Sequence, residues 1–246
     1  MSDTAAGSGL AAGHATDRSA ALAAAGRLTD EAFETPTELS TASISDALDS
    51  LGLPGSLHGI GALRRGGRIV GPVFTVTYEP VDATGGTVGD FLDDVPVGAV
   101  ILIDNAGRTD CTVWGGIMSE VAHDRGVAGT VINGTCRDVA VATALGYPIW
   151  SVSRFMRTGK DRVRVAAVQT SVTIDQVVVR PGDILVADDD GAVVVPAARW
   201  DEIVDIARHI DRVEEAIVET VRSGATLAEA RARHGYHALQ TRKDPS

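Results

Sequence analysis

Two short segments of the chain combine the residue types that metal and carboxylate chemistry needs. The first is Asn133–Asp138, with the sequence NGTCRD, which follows an apolar run and precedes a helical pattern. Arg137 could hold a ligand carboxylate through two parallel hydrogen bonds, and Asp138 offers the oxygen ligands that Mg²⁺ or Mn²⁺ prefers. The alternative is that Arg137 is a surface charge and Asp138 only occupies the first turn of the helix.

The second segment is Asp110–Met118, with the sequence DCTVWGGIM, which also follows an apolar run and opens a helical pattern. Gly115 and Gly116 carry no side chains, so a ligand could approach the backbone N–H groups at the helix entry. The alternative is that these glycines allow close packing of the helix against a neighbour. Of these two segments, only the first also supplies a cation.

Three other groups of polar residues favour structural roles. Asp188–Gly191 lacks the twelve-residue spacing of a calcium loop and is typical of a hairpin turn. Glu214 and Glu215 form a charge pair on the last predicted helix, where a solvated face is the ordinary interpretation. Cys111 and Cys136 have no histidine near them in sequence to activate a thiolate, so we expect small core residues.

An alternation of strands and helices must position the two segments. Short connections between these elements favour parallel crossover units, and α/β folds bind ligands at the carboxyl ends of parallel strands. In the helix predicted over Val113–Arg125, the residues expected to face inward are Ile117, Met118, Val121 and Ala122. The predicted elements are strands at Ile69–Tyr78, Ala99–Ile103, Gly129–Asn133 and Ile149–Ser153, with helices at Val113–Arg125 and Arg137–Leu145.

The flanking regions complete an α/β prediction with a mixed sheet. Ser40 or Thr41 can cap a helix that stops at Gly52, and a long amphipathic helix runs over Arg199–Arg222. Between them, short strands are expected at Val172–Ile174, Val177–Val179, Ile184–Ala187 and Ala192–Val195. The predicted organisation is a disordered Ala/Gly-rich lead over 1–28 with a short helix near Ala20–Arg27, a single domain over 29–235, and a polar tail over 236–246.

Charge and composition exclude several classes of protein. The 246 residues include 22 Lys+Arg and 33 Asp+Glu, a net charge of −11, so a nucleic-acid surface and an electrostatic membrane anchor are not expected. No apolar run approaches the ~20 residues of a spanning helix. Two cysteines can form neither a disulfide framework nor a Cys-rich zinc site. We therefore expect a cytoplasmic protein without nucleic-acid or membrane partners.

Taken in order, the segments resemble the RraA-like family. This family includes the regulator of ribonuclease E activity A and the 4-hydroxy-4-methyl-2-oxoglutarate / 4-carboxy-4-hydroxy-2-oxoadipate aldolases. The resemblance covers about residues 38–224. It is carried by STASISDAL from Ser40, VGPVFTV from Val70, WGG from Trp114, NGTCRD from Asn133, PGD from Pro181 and DDGAVVVP from Asp189.

The resemblance implies a swivelling α/β/α domain that assembles into a trimer or a hexamer, with active sites between subunits. By the same resemblance, Arg137 would hold the pyruvate moiety of the substrate and Asp138 would bind Mg²⁺ or Mn²⁺. The backbone amides of Ile117 and Met118 would contact the substrate. Glu214 or Glu215 of a neighbouring subunit would approach the metal-bound water.

One departure from the family pattern bears on the reaction. The family's aldolases carry an acidic residue twenty-one positions before the arginine, and Gly116 stands there in this chain. Asp110 or Asp104 is the candidate replacement base. Retro-aldol cleavage needs such a base, whereas oxaloacetate decarboxylation needs only an electron sink.

The expected function is therefore a divalent-metal-dependent lyase that cleaves a C–C bond of a 2-oxo acid to a pyruvate enolate. The substrate would be 4-hydroxy-4-methyl-2-oxoglutarate or a similar compound, or oxaloacetate. The alternative is a non-catalytic regulator that inhibits a protein partner such as a ribonuclease. The family's regulator usually lacks the complete Arg-Asp pair, so Arg137 and Asp138 favour the enzyme.

Overall fold

The computed structural model describes residues 39–82 and 89–239. The predicted lead over 1–28, its helix near Ala20–Arg27, the proposed domain start at residue 29 and most of the predicted tail lie outside the described residues. The part of the tail that is described, Tyr236–Leu239, forms a short helix.

A nine-stranded mixed sheet organises the described chain, as predicted. Its strand order is β1-β6-β5-β3-β2-β10-β11, with β4 paired to β5 and β7 paired to β2, while β8 and β9 form a separate hairpin. The strands are β1 Gly61–Ala62, β2 Ile69–Pro80, β3 Val100–Asp104, β4 Thr112–Trp114, β5 Gly129–Cys136, β6 Ile149–Arg154, β7 Val163–Val168, β8 Val172–Ile174, β9 Val177–Val179, β10 Ile184–Asp188 and β11 Gly191–Val195.

The pairing of these strands is parallel at the centre and antiparallel at the periphery. Strands β2, β3, β5 and β6 form successive parallel pairs, and β4 is parallel to β5. Strands β1, β7, β10 and β11 run antiparallel to their partners. Strand β7 was not predicted, because a charged residue, Arg164, interrupts its short apolar run and pairs with Glu79 of β2.

Six helices accompany the sheet, and in the described residues none is both long and apolar enough to cross a membrane. Ser40 caps the first helix by accepting a hydrogen bond from Ser43 N (3.0 Å), as predicted. The helices are α1 Thr41–Ser50, α2 Gly116–Asp124, α3 Val139–Leu145, α4 Trp200–Arg222, α5 Leu227–Arg233 and α6 Tyr236–Leu239, with 3-10 turns at Asp90–Asp94 and Ala197–Arg199.

Three apolar clusters hold these layers together. The first lies between the sheet and helices α2 and α3, where Ala122 and Ala142 pack against central strands. The second lies on the side of the β8–β9 hairpin and includes Trp150. The third joins α1 and α4 to β10 and β11 through residues such as Ile44 and Ile203. The sheet is thereby covered on both faces, and α2 and α3 enter the fold where β4 and β5 end.

Candidate active site

The loop expected after the predicted strand Gly129–Asn133 is shorter than the sequence indicates. Strand β5 runs to Cys136 rather than ending at Asn133, because Thr135 and Cys136 pair with β4 and β6. The helix expected from Arg137 begins instead at Val139. Only Arg137 and Asp138 therefore connect the strand to α3.

Asp138 turns the chain from β5 into α3 in a left-handed conformation, with φ 57° and ψ 36°. Aspartate tolerates this region better than most residues, since its short polar side chain can bond locally. Its carbonyl oxygen accepts from Val141 N (2.9 Å), so the residue occupies the N-cap position of α3. Its side chain makes no capping bond to α3.

The carboxylate of Asp138 instead contacts the start of α2. Its Oδ2 accepts a hydrogen bond from Gly116 N at 2.9 Å, and Arg137 Nε lies 3.5 Å from the same oxygen. Both side chains are a little under half exposed, at 41% for Arg137 and 45% for Asp138. The structure thus brings the two predicted segments together. Arg137 and Asp138 lie against the first residues of α2.

The absence of a side chain at Gly115 leaves room for this contact. A Cβ atom at Gly115 would lie 3.0 Å from Asp138 Oδ2 and 3.3 Å from Arg137 Nε, which is tighter than most real contacts. At Gly116 a Cβ atom would lie 3.5 Å from Asp138 Oδ2, an ordinary van der Waals distance. Gly115 therefore packs closely against a neighbour, and that neighbour is the Arg-Asp pair.

A buried network fixes the backbone on which these groups stand. The carbonyl oxygen of Trp114 accepts from Arg137 N (2.9 Å) and from Thr112 Oγ1 (2.8 Å). The indole Nε1 of Trp114 donates to Ser119 Oγ (2.9 Å), and Ser119 Oγ donates to Gly115 O (3.1 Å). Since Trp114 and Ser119 are fully buried, these bonds are shielded from water and set the position of Arg137.

The helix predicted over Val113–Arg125 begins later than expected, and the prediction of which residues face inward was partly wrong. Residues Thr112–Trp114 form β4, so the helix begins at Gly116. Ala122 is buried as expected and Met118 is half-buried, but Ile117 is 81% exposed and Val121 is 37% exposed. Ser119 takes the inward position, because its hydroxyl bonds to Trp114 and Gly115 and so determines how α2 is rotated.

A cavity of about 250 Å³ opens in front of the Arg-Asp pair. Thr158 and Gly159 line it although the sequence did not single them out. Their only sequence signal is a glycine in a polar turn, and a Cβ atom at Gly159 would lie 2.4 Å from Thr112 O. The cavity is lined by Thr112, Val113, Trp114, Gly115, Gly116, Ile117, Met118, Arg137, Asp138, Thr158 and Gly159.

The two candidate bases are outside this lining. Asp110 accepts two hydrogen bonds from Arg108, from Nε and from Nη2, both at 2.9 Å. The bond from Arg108 lowers the pKa of the Asp110 carboxyl below its ordinary value, which weakens it as a base. Asp104 accepts from Asn133 Nδ2 (2.8 Å) and from Ala106 N (2.9 Å).

Glu214 and Glu215 line a different cavity of about 360 Å³ together with Asp211, Val218 and Arg222. None of these residues lines the cavity of Arg137 and Asp138. Burial, with the charges of Asp46 and Asp211, raises the pKa of Glu214. Within one chain, the acidic pair and the Arg-Asp pair therefore do not line a common cavity.

The donor set around Asp138 fits a hard divalent cation with few protein ligands. Both its hydrogen bond and its ion pair reach Oδ2, which leaves Oδ1 without a protein donor in the described part of the chain. Across the described residues, no group of three or more His, Cys, Asp and Glu side chains could hold a metal. One carboxylate with water and substrate oxygens is a pattern that Mg²⁺ accepts, because it keeps much of its hydration shell.

The two cysteines are buried and unpaired, in agreement with their expected core role. Burial raises the pKa of both the Cys111 and the Cys136 thiol. Cys136 Sγ lies 3.8 Å from Ser151 Oγ. A raised pKa disfavours the thiolate, so neither side chain has the character of a nucleophile.

Comparison with known proteins shows what the chain is similar to. The RraA-like model, described as Aldolase/RraA, matches residues 41–194. Protein DlpA of Legionella pneumophila is 39% identical over 199 residues, which are 80% of this chain but 32% of that protein. A Halalkalibacterium halodurans protein provisionally named 4-hydroxy-4-methyl-2-oxoglutarate aldolase is 31% identical over 178 residues, covering 72% of this chain and 81% of that protein.

Solved structures share the fold. A protein from Pseudomonas syringae pv. tomato str. DC3000 superposes with a TM-score of 0.77 at 45% identity, covering 81% of this chain and 92% of that one. Streptomyces coelicolor RraAS2, described as an unusual member of the RNase ES inhibitor RraA protein family, gives 0.71 at 31% identity, covering 78% and 98%. The family model spans the strands and helices that build the site, and this chain belongs to the RraA-like family.

Proposed function

We propose that the protein is a divalent-metal-dependent lyase that cleaves a C–C bond of a 2-oxo acid to a pyruvate enolate. The observation that carries the proposal is the Arg137–Asp138 pair, held at the entry of α2 and facing a cavity at the carboxyl ends of β4 and β5. The aldolase name of the Halalkalibacterium halodurans relative agrees with this reaction class.

Arg137 would bind the carboxylate of the 2-oxo acid and neutralise the charge that develops on its keto oxygen. Its guanidinium is the cation among the residues that line the cavity. The buried bond between Arg137 N and Trp114 O holds the backbone of this residue, and Asp138 Oδ2 lies 3.5 Å from its Nε. Such preorganised charge is worth more in the transition state than in the ground state.

The N terminus of α2 offers further donors for the substrate. The first bond from α2 back to its own cap runs from Ser119 N to Gly115 O (3.0 Å). The N–H groups of Ile117 and Met118 precede it and have no acceptor within the helix. They border the cavity and would bind substrate oxygens, and the helix dipole favours negative charge there.

Asp138 would hold Mg²⁺ or Mn²⁺ through Oδ1. A bound divalent cation would supply Lewis-acid polarisation of the keto group. The protein would contribute Arg137 and the backbone amides.

Decarboxylation of oxaloacetate is the reaction that these groups support most directly. In that reaction the C3–C4 bond breaks, its electron pair forms the enolate, and C4 leaves as CO₂, so no base is required. Retro-aldol cleavage must also remove the proton of the C4 hydroxyl. Asp110 is the proposed acceptor for that proton through a water molecule, and it would have to act while paired with Arg108.

A neighbouring subunit would complete the site. Glu214 or Glu215 lines a separate cavity in its own chain, so either can approach Asp138 only from another copy. Assembly as a trimer or a hexamer would achieve this. The acidic side chain would then hydrogen-bond to the water bound by the metal.

The test is pyruvate release from 2-oxo acids with Mg²⁺ or Mn²⁺ present. We expect turnover of oxaloacetate, and of 4-hydroxy-4-methyl-2-oxoglutarate at a lower rate. Excess EDTA should abolish pyruvate release and added Mg²⁺ or Mn²⁺ should restore it. Full turnover in excess chelator would exclude the metal mechanism.

A protein-binding role is the second candidate, and it is supported by the likeness to Streptomyces coelicolor RraAS2. A net charge of −11 suits a basic partner such as a ribonuclease. Metal titration separates the two functions. A regulator has no need of Asp138 for a cation, whereas the lyase binds Mn²⁺ through it.

A further inference from the structure

We infer that the backbone N–H of Gly116 is a positioning group for Asp138: it holds Oδ2, so that Oδ1 alone is presented to the metal. This inference rests on the proposed function, since it concerns how the proposed metal ligand is oriented. It identifies the entry of α2 as part of the metal-binding apparatus although it would not itself touch the cation.

The first step is the direction of the Asp138 side chain. An aspartate at an N-cap usually accepts a bond from its own helix. Asp138 makes no such bond to α3 and accepts from Gly116 N at 2.9 Å instead. The left-handed backbone of Asp138, at φ 57°, is what directs the carboxylate away from α3 and toward α2.

The second step is the strength of the contact. Gly116 N is the first N–H of a nine-residue helix, so it has no acceptor inside α2 and carries the positive end of the helix dipole. A hydrogen bond from such a donor to a carboxylate is charge-assisted and directional. It fixes one oxygen and leaves the other available.

The third step is the space that Gly115 leaves for the carboxylate of Asp138. Gly115 lies directly beneath Asp138 Oδ2 and Arg137 Nε, where a Cβ atom would come within 3.0 Å and 3.3 Å. The absence of a side chain at Gly115 is therefore what lets Asp138 reach the amide. A Cβ atom there would make the carboxylate shift by a few tenths of an ångström while leaving the N–H in place.

Two substitutions test these steps. Gly116→Pro replaces the N–H with a ring Cδ that faces Asp138 Oδ2, so it removes the donor and crowds the carboxylate, while the helix accepts proline at its first position. The residue before a proline must be extended, and Gly115 is extended, with φ −152° and ψ −167°. Gly115→Ala keeps the N–H and crowds the carboxylate with a single Cβ atom. Gly116→Ala is the control for metal affinity, since its Cβ atom makes only 3.5 Å contacts and its N–H remains.

The measurement is Mn²⁺ binding by calorimetry to the full chain without substrate, after thermal melting has shown each variant to be folded. Gly116→Pro should weaken Mn²⁺ binding by about 10- to 100-fold, the usual effect of removing an outer-shell partner of a metal ligand. Gly115→Ala should weaken it by a smaller factor, because the N–H remains and the carboxylate shifts only slightly. Gly116→Ala should bind as the wild type does. If proline at position 116 prevents folding, Gly115→Ala decides.

The outcomes separate this inference from the proposed function. Wild-type affinity in both Gly116→Pro and Gly115→Ala would overturn the positioning role while leaving the metal site intact. Equal weakening by Gly116→Ala would also overturn it, because bulk rather than the N–H would then matter. A wild-type protein that binds no Mn²⁺ would overturn both proposals.

Discussion

Arg137 is the residue with the clearest expected effect on catalysis. Its side chain borders the cavity, and its backbone is held by the buried carbonyl of Trp114. Because it would bind both the ground-state carboxylate and the developing enolate charge, its loss should affect binding and turnover together.

For Arg137→Ala we predict a higher KM, a lower kcat and a fall in kcat/KM of about 30- to 1000-fold. This range corresponds to about 2–4 kcal/mol for a charge-assisted contact. Arg65→Ala, an exposed arginine outside the cavity lining, is the matched control. Steady-state kinetics that are the same in Arg137→Ala as in Arg65→Ala would return Arg137 to the role of a surface charge.

At the scale of elements, Asp188 at the end of β10 anchors the start of α1. It accepts from Thr41 N (2.8 Å), from Thr41 Oγ1 (2.6 Å) and from Asp190 N (3.0 Å). Burial alone would raise the pKa of this carboxyl, but the bonds from Thr41 and Asp190 and the charge of Arg68 together outweigh burial and hold the pKa below its ordinary value. Asp188–Gly191 is a hairpin turn, as predicted, but Asp188 is a structural carboxylate rather than a solvated one.

The consequence for stability depends on pH in a defined direction. A carboxyl whose pKa is lower in the folded state stabilises the fold above its unfolded pKa of about 3.9, and this contribution is lost as the pH falls through the folded value. Asp188→Asn should cost about 1 kcal/mol at pH 7, the typical value of a helix-terminus bond. Thermal melting should show the difference from wild type shrinking below about pH 4. Asp190→Asn is the control, and a constant difference across this range would contradict the assignment.

At the scale of the whole molecule, the exposed apolar surface and the location of the acidic pair both favour assembly. Ile117 and Met156 are 81% and 75% exposed, and Leu227 just beyond the long helix is 48% exposed. A closed assembly would cover apolar side chains of this size. In α4, Ile203, Ile210 and Ile217 are buried within the chain, whereas Val218 and Val221 are exposed, at 47% and 37%.

We predict a trimer or a hexamer in solution, because a closed symmetric assembly would bury this surface and bring Glu214 or Glu215 to a neighbour's Asp138. Light scattering should give about three or six times the chain mass of 25.5 kDa. A monomer at working concentrations would rule out a site shared between subunits. In a monomer, the charged side chains of the site would be Arg137 and Asp138, without an acidic residue from a neighbour.

The amino-acid sequence was sufficient to predict the class of fold and most of its elements. The cap at Ser40, the apolar repeats of β2 and β3, and the long amphipathic stripe of α4 are local patterns, so each is readable within a few residues. The resemblance to the RraA-like family also identified Arg137 and Asp138. Periodicity could not settle the rotation of α2, because Ser119 rather than Ile117 faces inward.

What only the tertiary structure decided is how Asp138 meets the entry of α2. The bond from Gly116 N joins residues that are 22 positions apart, and it depends on β4 pairing with β5 and on a left-handed turn at Asp138. Local sequence favours an ordinary helix start at this aspartate, since a carboxylate there normally caps its own helix. The direction of the side chain follows instead from the parallel pairing that places two strand ends side by side. That placement is a property of the folded sheet, and no short stretch of sequence contains it.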